Sequence, residues 1–289
     1  MEDKKKYDIE GYQRAAERGD AEAQFNLACC LEYGNDIQQD IGQAIYWYKK
    51  SAAQGNHYAQ LNLGICYEYG IGVQKDDEEA VRWYRLAVEQ GDASSQHNLG
   101  RCYYEGKGVE QDYAQAVYWW RKSAAQGCSA AQYGLGICYQ EGNGVEQSSS
   151  QALYWWNKAT EKEDANAEYA LGHCYYYGKN GLEIDFDKAT QWWEKSAEHG
   201  NVRAQYCLAC SYLDGIGVKR NTRKAVEWFR KAAEKGYSMA QYNLGCCYED
   251  GIGVSTDVIQ ARSWYNKAAE QGDENAKKAI ERFNDQVFL

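Results

Sequence analysis

Asn56-His-Tyr-Ala-Gln-Leu-Asn-Leu-Gly-Ile-Cys-Tyr-Glu-Tyr-Gly70, continued by Ile71-Gly-Val-Gln-Lys-Asp76 and Asp77-Glu-Glu-Ala-Val-Arg-Trp-Tyr-Arg-Leu-Ala-Val-Glu-Gln-Gly91, decides the fold of this chain. Ala59, Leu63 and Cys66 recur at helical spacing and make one apolar stripe. Asn56 ahead of them is a side chain suited to accept from the free amides of a helix start. Gly64 weakens a helix, so its place in mid-helix points to a close neighbouring helix. Gly70-Ile-Gly-Val73 reads as a turn. Asp76 then caps a second helix, and Glu79 three residues on completes a capping-box pattern. Ala80 and Trp83 supply the apolar body of that helix, and Gly91 ends it in a left-handed cap.

The same 36-residue unit recurs along the chain. Gly19, Gly55, Gly91, Gly127, Gly200, Gly236 and Gly272 mark its ends, with Glu163 in place of one glycine and one step of 37. The extra residue falls in Gly178-Lys-Asn-Gly-Leu182. Seven units therefore fill residues 20–272. Asp40, Asp76, Asp112, Ser148, Asp185, Asn221 and Asp257 are the expected caps of the second helices. Gln43, Glu79, Gln115, Gln151 and Gln260 follow three residues later. Trp47, Trp83, Trp119, Trp155, Trp192, Trp228 and Trp264 read as buried against their own first helices. Replacing Trp83 with alanine is then expected to cost about 3–5 kcal/mol. Lys50, Lys122, Lys195, Lys231 and Lys267 complement the negative ends of those helices.

Taken together, the recurrent Ala-x-x-Leu-Gly-x-x-Tyr, Gly-x-Gly-Val, capping Asp and Ala-x-x-Trp patterns resemble the Sel1-like repeat family, a branch of the tetratricopeptide-like solenoids. The likeness covers about nine-tenths of the chain. It implies an all-α, right-handed solenoid superhelix of helix–turn–helix hairpins with a concave face lined by the first helices. Departures are the insertion after Gly178, Ser211 in place of the recurring cysteine, and Glu163 in place of glycine. Residues 1–19 and 273–289 read as capping helices around repeats 20–272, in one continuous domain.

Composition bounds the partners. The net charge of −10 opposes binding to nucleic acid, which needs a basic surface. No apolar run reaches the roughly 20 residues that span a bilayer. Met1-Glu-Asp-Lys-Lys-Lys-Tyr7 lacks the apolar core of a secretion signal, so a cytoplasmic protein is expected. Cys30, Cys66, Cys102, Cys138, Cys174 and Cys247 occupy one position per repeat. This regularity fits small core side chains with free thiols.

Catalytic constellations are missing. His57, His97, His173 and His199 do not form a His-x-x-x-His pair, and no Ser-x-x-Lys occurs. The Gly-x-Gly-Val turns lack the lysine of a phosphate loop. Cys207-Leu-Ala-Cys210 has redox or metal spacing but stands inside an expected helix without a second pair. No metal and no cofactor are expected. The family resemblance implies two alternatives to a scaffold. One is the cysteine-rich branch associated with penicillin binding and β-lactamase activity, whose paired cysteines this chain does not reproduce. The other is a toxin-neutralising protein.

The expected function is a scaffold or adaptor for a partner protein or peptide. Its expected binding residues are Phe25, Tyr58, Leu61, Tyr69, His97, Arg101, Tyr104, Glu105, Tyr133, Glu141, Tyr169, His173, Tyr176, Tyr206 and Tyr242, all on the first-helix face opposite the Leu63 stripe. Tyrosines suit binding because they offer area and a polar tip with few rotamers to freeze. Each alone fits packing against the next repeat equally well. Arg101 is the only strongly basic residue on this face, opposed by Glu32, Glu68, Glu105, Glu141, Asp214, Glu249 and Asp250. A partner with basic and aromatic character is therefore expected.

Overall fold

The computed structural model describes residues 8–286. The outermost parts of the two expected capping helices, including the charged stretch Met1–Tyr7, lie outside the described residues. The described residues form sixteen α-helices and no strand, an all-α solenoid of hairpins. Two compact units divide between Gln147 and Ser148, and each is described by itself. The first holds α1 (Ile9–Glu17), α2 (Ala21–Tyr33), α3 (Ile41–Ala53), α4 (His57–Tyr69), α5 (Asp77–Val88), α6 (Ala93–Glu105), α7 (Tyr113–Ala125) and α8 (Ser129–Glu141). The second holds α9 (Ser149–Thr160), α10 (Ala165–Tyr177), α11 (Phe186–Glu198), α12 (Val202–Asp214), α13 (Thr222–Glu234), α14 (Ser238–Asp250), α15 (Val258–Glu270) and α16 (Glu274–Gln286).

Local chemistry sets the boundaries. All seven expected caps of the second helices accept a backbone N–H with their side chains, as Asp76 does from Glu79 at 3.0 Å. Each first helix from α2 to α14 ends on a left-handed glycine, such as Gly70 at φ 71°. Glu163 adopts the same left-handed region at φ 57° where the other repeats carry glycine, so the unit end survives the substitution with some strain.

The core aromatic is not the one expected. Trp47, Trp83, Trp119, Trp155, Trp192, Trp228 and Trp264 are only half-buried. The residue after each of them is buried: Tyr48, Tyr84, Trp120, Trp156, Trp193, Phe229 and Tyr265. Residue 84 lies one turn beyond Ala80 and shares its face, whereas residue 83 is rotated about 100° away. The recurring glycines receive these rings. A Cβ on Gly100 would lie 2.6 Å from Trp120 Cδ1, and one on Gly245 would lie 2.6 Å from Tyr265 Cε1. Trp83 instead packs on the cluster built from α2, α3 and α4. Its loss should accordingly cost less than that of a core ring. The lysines expected to serve the helix ends also cover these tryptophans, with Lys231 Nζ 3.7 Å from the Trp228 ring centroid and Lys267 Nζ 4.1 Å from that of Trp264.

Buried amides join neighbouring repeats. Gln24, Gln60, Gln132, Gln205 and Gln241 donate to a carbonyl of the preceding second helix. Gln54, Gln90, Gln126 and Gln271 donate to the amide oxygen of the glutamine on their own first helix. Such bonds satisfy buried polar groups and fix the stacking register. In the fifth repeat an acid and a histidine replace both amides: His199 Nδ1 lies 2.8 Å from Glu168 Oε2.

Candidate functional site

The expected binding residues occupy the second, fifth, ninth, twelfth and thirteenth positions of the first helices. In the first unit Phe25 stacks on Tyr58 with centroids 5.6 Å apart, and Tyr58 and Tyr69 are exposed. Leu61 packs against the core around Tyr84, and Tyr133 is half-buried. His97 lies flat beside Trp120, with centroids 6.3 Å apart. The Tyr104 hydroxyl donates to Glu141 Oε2 at 3.0 Å, and burial pushes its pKa up to about 12. Glu105 is exposed and pairs with Lys107 at 2.6 Å.

Several charged residues of this face work inside the protein. Glu68 is 6% exposed and accepts from the buried Tyr84 hydroxyl at 2.7 Å. Arg101 bridges from the next repeat to the same carboxylate at 2.6 Å. Burial raises the Glu68 pKa, but the hydrogen bonds from Arg101 and Tyr84 outweigh it and hold the carboxyl below its ordinary range. Tyr48 donates to Glu32 at 2.5 Å and Tyr265 to Glu249 at 2.6 Å in the same way. Three of the carboxylates that set the expected polarity are thus acceptors for core tyrosines. Glu105, Glu141, Asp214 and Asp250 are exposed. The signal for this network was in the sequence: tyrosine at the core position accompanies glutamate sixteen residues earlier, and no other core aromatic does.

In the second unit four of the expected binding residues converge. Tyr169, His173 and Tyr176 on α10 and Tyr206 on α12 line one cavity of about 230 Å³. Trp193 also lines it, with its ring centroid 5.1 Å from that of Tyr176. Cys207, Cys210, Ser211 and Asp214 on α12, with Ile216 just beyond that helix, complete the lining. Burial, and then Lys179, pull the His173 pKa below its ordinary value. Burial pushes the Cys207 and Cys210 thiols up to about 12 and about 11, which leaves them protonated and poorly nucleophilic at neutral pH. Tyr242 lies outside this cavity, its centroid 5.6 Å from that of Tyr265. Among the described residues, no three His, Cys, Asp or Glu side chains group as metal ligands. No helix among them is long and apolar enough to cross a membrane.

Seven consecutive segments, residues 21–56, 57–92, 93–128, 129–164, 165–201, 202–237 and 238–273, match the Sel1 repeat. A protective antigen of uropathogenic Escherichia coli with an SLR fold is 36% identical over 96% of this chain, with a TM-score of 0.75. This chain spans only 60% of the length of that protein. A Sel1 repeat protein from Oxalobacter formigenes is 34% identical, with 95% of this chain and 79% of that one covered and a TM-score of 0.75. An immunity protein from Pseudomonas aeruginosa shares the fold alone. It is 18% identical over 75% of this chain and 82% of its own, with a TM-score of 0.54. No curated protein matches the chain.

Proposed function

We propose that this chain, which belongs to the Sel1 repeat family, is a non-catalytic scaffold that holds a partner protein or peptide of basic and aromatic character on its first-helix face. Repeats of this kind typically mediate protein–protein interaction, and the partner's chemistry is the further step proposed. The observation that carries it is the cavity lined by Tyr169, Tyr176 and Tyr206 together with Asp214. Its aromatic walls, set with tyrosine hydroxyls, His173, Ser211 and Asp214, suit an anchoring side chain that brings both flat apolar surface and polar donors. The exposed Glu105, Glu141, Asp214 and Asp250 favour a cationic segment and disfavour an acidic tail. Burial and raised thiol pKa values give no activated cysteine nucleophile in this cavity, which weighs against a catalytic reading.

The test is selection of random linear peptides on the full chain, followed by affinity measurement at low and high salt. Enriched peptides should carry Lys or Arg beside aromatic or aliphatic residues. Their association should slow as salt rises. Glu105→Lys combined with Glu141→Lys should weaken peptides that contact the third and fourth repeats. Enrichment of acidic peptides, or tighter binding after those reversals, would show the polarity to be wrong.

A further inference from the structure

The third and fourth repeats meet in a closed polar cluster. Tyr104 stands 5.2 Å from the Trp120 ring, and its hydroxyl donates to Glu141. The Asn143 amide donates both to that carboxylate, at 2.7 Å, and to the Tyr104 oxygen, at 3.2 Å. The fifth and sixth repeats place Tyr176, Asp214 and Ile216 at the same three positions, beside Trp193. Asp214 is one methylene shorter than Glu141, and the Ile216 side chain brings no N–H donor, its backbone N–H being spent on the Ser211 carbonyl at 3.1 Å. Cys207 also stands where Asn26, Asn62, Asn98 and Asn243 stand in other repeats. Cys207, Asp214 and Ile216 all line the cavity of about 230 Å³.

We propose that this cavity is the subsite for an arginine side chain of the partner, whose guanidinium takes the place that the Asn143 amide fills between the third and fourth repeats. The inference rests on the protein-binding reading above and names its anchor. The Ile216 side chain lacks the N–H donor that Asn143 offers to a tyrosine oxygen and a carboxylate, and a guanidinium brings several in one plane. Its weak hydration and flat shape suit half-buried aromatic walls better than a strongly hydrated ammonium does. Aromatic faces attract cations, and Lys179, whose Nζ lies 5.4 Å from the Tyr177 centroid, is the like charge near His173 that a guanidinium must outweigh. Asp214 is the one carboxylate in the lining, and His173, neutral at pH 7, does not oppose a cation there. The volume is below the roughly 300–1,000 Å³ of small-molecule sites and fits a single large side chain.

The probe is N-acetyl-arginine amide, titrated into the full chain and followed by saturation-transfer NMR beside the citrulline and lysine analogues. The arginine probe should bind saturably. Citrulline, which has the shape without the charge, should bind about tenfold more weakly or worse. Asp214→Asn should weaken the arginine probe to a similar extent. Ile216→Asn, which restores the internal amide, should abolish its binding, with both variants checked for an unchanged melting curve. Failure of the arginine probe to bind overturns the proposal. So does equal binding by citrulline, tighter binding by lysine, or unchanged binding in a folded Asp214→Asn chain. Selected peptides that bind Asp214→Asn as well as the parent would sink this subsite while leaving the scaffold reading standing. Arginine-probe binding with no peptide selected would do the reverse.

Discussion

Removing the Glu68 carboxylate should destabilise the chain by about 3–6 kcal/mol, and the sum can be built from its partners. The Tyr84 hydroxyl, on a residue with 0% exposure, would lose its acceptor, which costs about 1–3 kcal/mol. The Arg101 side chain keeps 23% exposure and could turn to water or to Glu105 at 3.9 Å. Its loss therefore falls between the exposed and buried limits, about 1–2 kcal/mol. Emptying the space of the Glu68 methylenes adds about 1 kcal/mol. Urea unfolding of Glu68→Ala, followed by far-UV circular dichroism, reads the total, and the transition should broaden as neighbouring repeats lose their interface. A cycle with Tyr84→Phe isolates the hydroxyl: its coupling to Glu68 should be about 1–2 kcal/mol. Because the carboxyl is held below its ordinary pKa, its stabilisation is present above the ordinary carboxyl range and is lost as pH falls through the depressed folded value. The parent should thus lose more stability on acidification than Glu68→Ala. A Glu68→Ala chain within about 0.5 kcal/mol of the parent, or strict additivity in the cycle, would refute the reasoning.

Exchanging the whole core pair is a companion test: Tyr84→Trp alone should destabilise by stranding Glu68, and adding Glu68→Tyr, as in the Tyr104 and Trp120 pair, should recover part of the loss in the same urea assay. Gly245→Ala would press a Cβ to 2.6 Å from Tyr265 Cε1 and should cost about 1–2 kcal/mol, overpacking exceeding the gain in helix propensity; a stabilised variant would contradict that contact. The hydrogen bond to Glu168 raises the His199 pKa, and burial raises that of Glu168, so this pair's stabilisation is greatest below the ordinary histidine value and fades as pH rises through the raised one. Glu163, Glu198, Lys195 and Asp164 face the pair, and the double change Glu168→Gln with His199→Gln should flatten the pH dependence of the melting temperature between about pH 6 and 8. Thiol counting in denaturant without reductant should find nearly all 11 cysteines, with Cys66, Cys102, Cys138 and Cys247 slow to react in the native chain because burial pushes each to about 12; several disulfides would place the protein in an oxidising compartment.

Caps and turns were legible because their chemistry is local. Asp76 needs only the amide of Glu79, three residues on, and Gly70 needs only its own backbone. The glycines at positions such as 100 announced a close approach, and Trp120 is what approaches. Choosing between adjacent aromatics was harder. Trp83 and Tyr84 are both large, and only the rotation relative to Ala80 sends one inward. Residue size pointed to the tryptophan, whereas the Glu68 partner singled out the tyrosine. The cavity was less legible still. Its walls were visible in Tyr169, Tyr176 and Tyr206, but the space itself lies among those rings and Cys207, Asp214 and Ile216. An unfilled space has no residue of its own to read.

The choice of core aromatic also governs where surface charge can stand. The first two repeats bury Tyr48 and Tyr84, and their acids, Glu32 and Glu68, turn inward to accept the hydroxyls; the next residues are the exposed Tyr33 and Tyr69. The third, fourth and sixth repeats bury Trp120, Trp156 and Phe229, which offer no hydroxyl to a carboxylate. A buried acid there would lack its tyrosine partner and would be expensive. Those repeats carry the acid one residue later, as Glu105, Glu141 and Asp214, and a single step along a helix turns it about 100° out to solvent. The seventh repeat has both, with Glu249 inward and Asp250 exposed, and the fifth has neither, carrying Tyr176 and Tyr177 instead. The acidity of the binding face is therefore not spread evenly along the repeats. It gathers where the core is tryptophan or phenylalanine, and the tyrosine cavity of the fifth repeat borders the first exposed carboxylate of the sixth.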